Sequence, residues 1–321
     1  AEFIEPYTTN LSTYAVYRRA DRAASLNRFE CKVIKDVQDD LGVVSAARPN
    51  ADDATLRTYR LAMSVTGEYT AYFGGTKALA LAAINNTMTR VNGVFEKDFG
   101  ARMVLIANTD TVIYTTASSD PYSAAATGAG GAWNQELQTT LTNNIGNANY
   151  DIGHLFGASG GGGNAGCIGC ICVDGQKGSG ITSPADGIPQ GDNFDIDYVT
   201  HEIGHQLGMN HSFTHRAQTL PAQREVGSGV TIMGYAGITG YDVARHSIDT
   251  YHAYNIYQFE ANVSTKTCPV LVSVASANVA PVVNAGADYI IPISTPFILE
   301  GSATDANGDA ITYQWEQNDA I

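Results

Sequence analysis

The stretch HEIGHQLGMNH, residues 201–211, holds the side chains with the clearest capacity for chemistry. On a helix that turns about 100° per residue, His201 and His205 lie on one face, so their imidazoles can bind the same ion. His211 comes six positions after His205, and the chain must therefore turn before it can add a third ligand. Gly208 supplies this turn, because glycine adopts the left-handed conformation that ends helices without a Cβ clash. Three neutral imidazoles with a fourth position left to water predict a catalytic zinc site.

Glu202 is the predicted general base of this site. It follows the first ligand on the same helical turn, so its carboxylate can reach a water on the zinc without being a ligand itself. Zinc lowers the pKa of such a water to about 7 and polarises a substrate carbonyl. Glu202 would then take the proton of the water and later donate it. These groups together predict hydrolysis of a peptide bond.

The pattern HExxHxxGxxH resembles the zinc signature of the metzincin metallopeptidases, which implies a methionine in a tight turn beneath the metal. Met233 in SGVTIMGYAG supplies such a methionine. Tyr235, two residues later, resembles the Met-x-Tyr arrangement of astacins and serralysins. This implies a tyrosine that binds the zinc or stabilises the oxyanion; the alternative is a tyrosine that only packs near the metal.

Other features resemble the bacterial reprolysin-like, or adamalysin-type, enzymes of this clan. They are the GGGGNAGCIGCIC run before the zinc helix and the general order of elements. At Ser212 the chain is instead similar to matrixins, since adamalysins usually carry aspartate there. The resemblance implies an α/β (α+β) metzincin fold, in which a twisted mixed sheet packs with two long helices and the zinc helix, and a small lower subdomain follows Gly208. It also implies a secreted zinc endopeptidase that cleaves extended protein substrates.

The composition excludes several classes of partner. The chain has 32 acidic and 18 basic residues and a formal net charge of −14, which leaves no basic surface for nucleic acid or an anionic membrane. No apolar run approaches the roughly 20 residues that span a bilayer. We expect an extracellular monomer whose partners are protein or peptide substrates. The alternative class is an adhesion protein with an inactive metalloprotease fold, but inactivation normally removes the base or a ligand, and all four are present.

Four of the five cysteines can form two disulfides in three ways, which favours an oxidising, extracellular compartment. A structural metal on the CxxC pair is the alternative, although no second ligand pair is near. These four are Cys167, Cys170, Cys172 and Cys268. Cys31 lies apart, within residues 1–50, which we interpret as a pro-segment remnant or N-terminal extension. Its thiolate on the zinc would make the chain a latent zymogen, without the matrixin switch motif; alternatively, Cys31 packs as a small apolar side chain.

Hydrophobic periodicity predicts strands that alternate with two long helices before the zinc helix. The glycine-rich run 160–166 is either a flexible loop or, by the family comparison, an edge strand above the cleft to which an extended substrate adds as a further strand. The first strand, over residues 54–72, is implied by the resemblance to a reprolysin-like catalytic domain. The further expected strands cover 101–106 and 150–158, and the expected helices cover 75–100 and 132–146.

Three aspartates lead into the zinc helix: Asp192, Asp195 and Asp197. They are expected to cap the helix and to place favourable charge at its N-terminus. A calcium site is the alternative, because that ion prefers oxygen ligands. The remaining histidines lack partners at ligand spacing and are expected to be ordinary polar or core residues; they are His154, His215, His246 and His252.

The domains follow from these observations as residues 1–50, a catalytic domain over 51–268, and a β-rich tail over 269–321. The tail resembles the opening strands of a polycystic-kidney-disease-type, immunoglobulin-like module, with Trp315 as a candidate core residue. Such a sandwich needs about seven strands, so the module is expected to be truncated. The turn DANGD at 305–309 is expected to be solvated, and the alternative is that it binds a calcium ion.

Overall fold

The computed structural model describes residues 2–6, 14–18, 30–32, 53–215 and 222–319. Its strands are β1 Glu2–Pro6, β2 Tyr14–Arg18, β3 Thr55–Val65, β4 Ala101–Leu105, β5 Ile152–Phe156, β6 Gly162–Asn164, β7 Gly180–Ser183, β8 Val270–Ser273, β9 Val282–Asn284 and β10 Ser302–Thr304. Its α-helices are α1 Gly67–Tyr72, α2 Lys77–Phe99, α3 Ala125–Thr127, α4 Trp133–Asn144, α5 His201–Gln206 and α6 Ala253–Val263. None of the helices in these ranges combines the length and the hydropathy that a membrane span requires.

A mixed six-stranded sheet forms the centre of the fold. The strand order is β4-β3-β5-β7-β6, and β8 pairs with β3 outside this path. Neighbours among β4, β3, β5 and β7 are parallel, whereas β6 is antiparallel to β7 and β8 is antiparallel to β3. Leu61 of β3 pairs with both Leu105 and Ile152, so this strand is covered on both sides. The prediction of a mixed sheet with packed helices is therefore confirmed.

The first strand of this sheet ends sooner than the family resemblance implied. Strand β3 stops at Val65, and residues 67–72, which we expected to continue it, form α1. Thr66 begins this helix, because its side-chain oxygen accepts a hydrogen bond from the amide of Tyr69 at 3.3 Å. A threonine N-cap with Glu68 in the first turn favours helix. The prediction of a strand over 66–72 was wrong for this reason.

Both long helices predicted from periodicity are confirmed. Helix α2 begins after Thr76, whose hydroxyl accepts from the amide of Leu79 at 3.3 Å. It ends at Gly100 in the left-handed conformation, with φ of 57°. Helix α4 ends before Gly146, whose amide donates to the carbonyl of Leu141 at 2.9 Å.

The sheet carries an apolar cluster on each face. The larger cluster joins the sheet to α2, α5 and α6, and it includes Met63 and Phe259. The smaller cluster joins it to α4, where Trp133 packs with Ala62. Adjacent β3 residues contribute to opposite clusters, as the period of two in a strand requires. The zinc helix is thereby buried within the larger cluster.

Two disulfides tie the loops around this core. One joins Cys167 to Cys170, and the other joins Cys172, in the loop before β7, to Cys268, just before β8. The predicted disulfides are confirmed, and this pairing is one of the three that the sequence allowed.

Residues 269–319 divide into two parts. Strand β8 pairs with β3, so the first apolar stretch of the tail is part of the catalytic sheet. Strands β9 and β10 form a separate antiparallel pair, and apolar residues such as Ile290 and Phe297 are exposed. Trp315 is 51% exposed. The expectation that it belongs to a core was wrong, because within the described tail these strands have no second sheet to cover it.

Candidate metal centre and active site

The zinc helix begins as a π-helical segment, Asn193–Thr200, and continues as α5. It ends at Gly208, which has φ of +111° and whose amide donates to the carbonyl of His205 at 2.9 Å. A Cβ atom at this position would lie 2.7 Å from Cβ of Asn262. Both the backbone conformation and this close approach require glycine. The turn sends the chain back towards the metal-binding face.

Three imidazoles converge as the spacing predicted. Nε2 of His211 lies 3.1 Å from Nε2 of His205 and 3.2 Å from Nε2 of His201. Nδ1 of His201 bonds to the carbonyl of Ile232 and Nδ1 of His205 to that of Met209, each at 2.7 Å. A carbonyl can only accept, so both Nδ1 atoms carry the proton and both Nε2 atoms present a lone pair to the common centre.

This arrangement fits zinc. Ligand nitrogens about 2.0–2.1 Å from a tetrahedral zinc stand about 3.3 Å from one another, close to the separations of the Nε2 atoms. Burial lowers the pKa of His201 to about 4. Burial and the two neighbouring imidazoles also lower the pKa of His205 well below its ordinary value. Both rings are thus neutral, which is the form that binds metal.

Glu202 lies beside the imidazoles and is fully buried. Burial raises its pKa to about 8, while the Cys31 side chain and the amide of Ala165 lower it in part. Strand β6 passes directly over the carboxylate: a Cβ atom added at Gly163 would lie 2.2 Å from Oε1 of Glu202. This glycine therefore admits the carboxylate to the space between the edge strand and the imidazoles.

Met233 lies in a tight turn, in which the amide of Gly234 donates to the carbonyl of Thr231 at 2.9 Å, and Tyr235 directly follows this turn. The sulfur of Met233 packs against the zinc helix, 2.8 Å from the position a Cβ atom would take at Gly204. The ring centroid of Tyr235 lies 4.8 Å from that of His211. Burial and nearby acidic groups raise the tyrosine's pKa well above 10, so the hydroxyl stays protonated and can donate a hydrogen bond.

Cys31 joins the three histidines. Its sulfur and one ring nitrogen from each histidine all lie within 4.8 Å of one another, and Cys31 is not part of a disulfide. The chain around it pairs with the edge strand: the amide of Lys32 donates to the carbonyl of Gly163 at 2.9 Å, and the amide of Gly163 donates to the carbonyl of Glu30 at 3.1 Å. The bridge between Cys31 and Gly163 is parallel. Residues 162–164 of the glycine-rich run thus form an edge strand, and the addition of an extended substrate to it stays a prediction.

The three aspartates before the zinc helix have separate partners. Asp192 directly precedes the helix but makes no side-chain capping bond; the expectation that it caps was wrong, because its carboxylate bonds to Arg90 instead. Among the described residues, the Cys31–histidine cluster is the only group of three or more His, Cys, Asp or Glu side chains spaced to hold a metal ion. The partners are Arg90 for Asp192, Thr87 for Asp195, and both His246 and Ser247 for Asp197.

Sequence reasoning missed two contributors to the site. Gly163 was treated only as part of the glycine-rich run, whereas its missing side chain makes room for Glu202. Glu225, buried beside Ser212, has no motif of its own. For Gly163 the signal in the sequence was a glycine inside a strand, which often marks close approach of another group. For Glu225 the sequence gave no signal.

Comparison with known proteins bears on the whole catalytic region. The family described as "Metallo-peptidase family M12B Reprolysin-like" matches residues 55–262, more than half of the chain. No curated protein sequence matches. A solved structure titled "Structure of a chaperone-substrate complex" is 14% identical, with a TM-score of 0.39, over 66% of this chain and 36% of that one. The chain thus spans about a third of that structure's length, a likeness that says nothing about function. By the match over 55–262, the chain belongs to the reprolysin-like M12B family of zinc metallopeptidases.

Proposed function

We propose that the protein is a secreted zinc endopeptidase that cleaves extended polypeptides. His201, His205 and His211 hold the zinc, and Glu202 is the general base. The observation that carries this proposal is the convergence of three Nε2 atoms, two pairs of which are 3.1 and 3.2 Å apart, beside a carboxylate on the same helix. One chain contributes every ligand, which supports action as a monomer.

The chain's own groups account for the proton transfers. Zinc, when bound, supplies a Lewis acid that lowers the pKa of water and polarises a carbonyl. In its ionised form, Glu202 takes a proton from the attacking water as the water oxygen bonds to the carbonyl carbon. The same carboxyl then gives that proton to the amine nitrogen as the C–N bond breaks, so its charge is restored. Tyr235, with its hydroxyl protonated, donates a hydrogen bond to the developing oxyanion.

The position of strand β6 favours a substrate that binds in an extended conformation. It lies at the edge of the sheet, and the amide and carbonyl of Gly163 both bond to the segment 30–32. A peptide strand can use the same two groups. Because an edge strand receives the middle of a chain as readily as its end, cleavage within a polypeptide is favoured. The two disulfides support an extracellular setting.

We further propose that residues 1–50 keep this site latent. The Cys31 sulfur lies among the three imidazoles, where a thiolate would take the position needed by water. The backbone at 30–32 covers Gly163, and the Tyr235 hydroxyl contacts the carbonyl of Cys31 at 3.5 Å. A calcium ion is not part of the proposal, because the three aspartates before the zinc helix bind protein groups instead.

The test measures zinc content and cleavage of casein by the wild type and by Glu202→Ala and Cys31→Ala, each with and without a chelator. We expect one zinc per chain and cleavage by Cys31→Ala that the chelator stops. The double variant Cys31→Ala/Glu202→Ala, measured in the same way, should not cleave. Glu96→Ala, in an exposed ion pair with Arg102, is the control. Full activity in Cys31→Ala/Glu202→Ala would contradict the assigned base. Equal, chelator-sensitive cleavage by the wild type and Cys31→Ala would contradict latency alone, whereas no cleavage by either would contradict the peptidase itself.

A further inference from the structure

Glu225 is a carboxylate only 9% exposed, in the segment between the third histidine and the methionine turn. Its Oε1 accepts hydrogen bonds from the amides of Val230, at 2.8 Å, and Thr231, at 3.0 Å. Its Oε2 accepts from the hydroxyl of Thr231, at 2.5 Å, and from the hydroxyl of Ser212. Four hydrogen bonds to one carboxyl group make it a firm connection between the segments that donate.

The donors belong to two segments. One adjoins a proposed zinc ligand, and the other adjoins the residue whose carbonyl orients a second proposed ligand. Ser212 directly follows His211. Thr231 directly precedes Ile232, whose carbonyl accepts from Nδ1 of His201 at 2.7 Å. The carboxylate therefore joins the backbone of one ligand to the group that orients another.

Main-chain bonds reinforce the same connection. The carbonyl of Ser212 accepts from the amides of Arg224 at 2.8 Å and Glu225 at 2.9 Å, and the amide of Ser212 donates to the carbonyl of Met233 at 3.1 Å. With its hydroxyl on Glu225, Ser212 has its amide, carbonyl and side chain all engaged. Movement of His211 away from the other imidazoles would strain these bonds together.

We propose that Glu225 is a positioning residue of the zinc site, which holds His211 and the carbonyl of Ile232 at a fixed separation. The inference rests on the zinc ligands proposed above. Partners that orient metal ligands typically change metal affinity by about 10-fold to 100-fold when they are removed. Loss of Glu225 should accordingly weaken zinc binding even though the carboxylate does not touch the metal.

The experiment measures the zinc dissociation constant by competition with a chromogenic chelator, and the thermal unfolding of each zinc-free variant. We expect Glu225→Ala to raise the constant about 10-fold to 100-fold, and Ser212→Ala to raise it by a smaller factor. Glu225→Gln should restore much of the affinity, because its amide oxygen still accepts from the two backbone amides. The matched control is Asp151→Ala, which removes a buried carboxylate that bonds to Arg60; it should lower the unfolding temperature without changing zinc affinity.

The outcomes separate this inference from the assignment of the ligands. An unchanged constant in folded Glu225→Ala, or an equal weakening in Asp151→Ala, would overturn the positioning role. If Glu225→Ala does not fold, Ser212→Ala decides, and an unchanged constant there also overturns it. His211→Ala tests the ligand set: if it binds zinc as tightly as the wild type, the proposed site itself fails.

Discussion

Replacing Gly163 with alanine should disable Glu202 while leaving the zinc ligands in place. A Cβ atom at this position would lie 2.2 Å from Oε1, 2.3 Å from Cγ and 2.4 Å from Cδ of Glu202, whereas ordinary contact begins near 3.4 Å. The carboxylate would have to move by about 1 Å or more to relieve the overlap. A misplacement of about 1 Å in a catalytic group can cost roughly 10²-fold in rate, which corresponds to about 2.7 kcal/mol of barrier.

The assay is cleavage of a quenched fluorescent peptide in a Cys31→Ala background, so that latency does not hide the effect. We expect Gly163→Ala to lower kcat/KM by about 10²-fold with zinc content unchanged. Gly93→Ala is the control, since a Cβ atom there meets nothing within 4 Å. Activity of Gly163→Ala within about twofold of its parent would refute the argument, because the edge strand could then accept a side chain without moving the base.

Three further predictions concern stability. Gly208→Ala should lower the free energy of unfolding by about 1–3 kcal/mol, because φ is +111° and the new Cβ atom meets Asn262. Denaturant titration measures this loss, and an unchanged midpoint would show that the turn relaxes to accept the side chain. Burial lowers the pKa of His154 from 6.5 to about 4. As the pH drops, this histidine is therefore protonated in the unfolded chain before it is protonated in the folded one. The free energy of unfolding should fall between pH 6.5 and pH 4, by about 2 kcal/mol at pH 5 from this residue. A His154→Gln variant with the same pH slope would contradict that assignment. Removing the Cys172–Cys268 disulfide, which spans 96 positions, should cost up to about 4–5 kcal/mol, because the bridge restricts the unfolded chain. An unchanged unfolding temperature of the double serine variant in calorimetry would contradict this prediction.

The convergence of the three histidines was predictable because its information is local. Spacing on one helix places His201 and His205 on a common face, and the position of Gly208 indicates where the chain must turn. The structure adds that φ at this glycine is positive and that Asn262 leaves no room for a side chain. Periodicity likewise predicted α2 and α4, whose buried stripes repeat with the helical period.

What escaped prediction depends on contacts between distant parts of the chain. Glu225 lies 13 positions from Ser212, and no local pattern indicates that its carboxylate would be enclosed by four donors. At Thr66 a capping side chain begins a helix, where the family resemblance had led us to extend the strand to Tyr72. For Cys31, sequence offered two alternatives, and only its distance to the imidazoles supports the metal-directed one.

The antiparallel pairing of β8 with β3 has a mechanical consequence. Four residue pairs, from Thr55–Ser273 to Thr58–Val270, lie side by side along the strands, so a displacement of β8 along β3 would load these hydrogen bonds in shear and all at once. Cys268, just before β8, carries any remaining force into Cys172 through a covalent bond. Cys172 adjoins Ile171, whose amide donates to the carbonyl of Gln206 at the end of the zinc helix. Force that reaches β8 would therefore be carried by the sheet and the disulfide before it could reach the imidazoles.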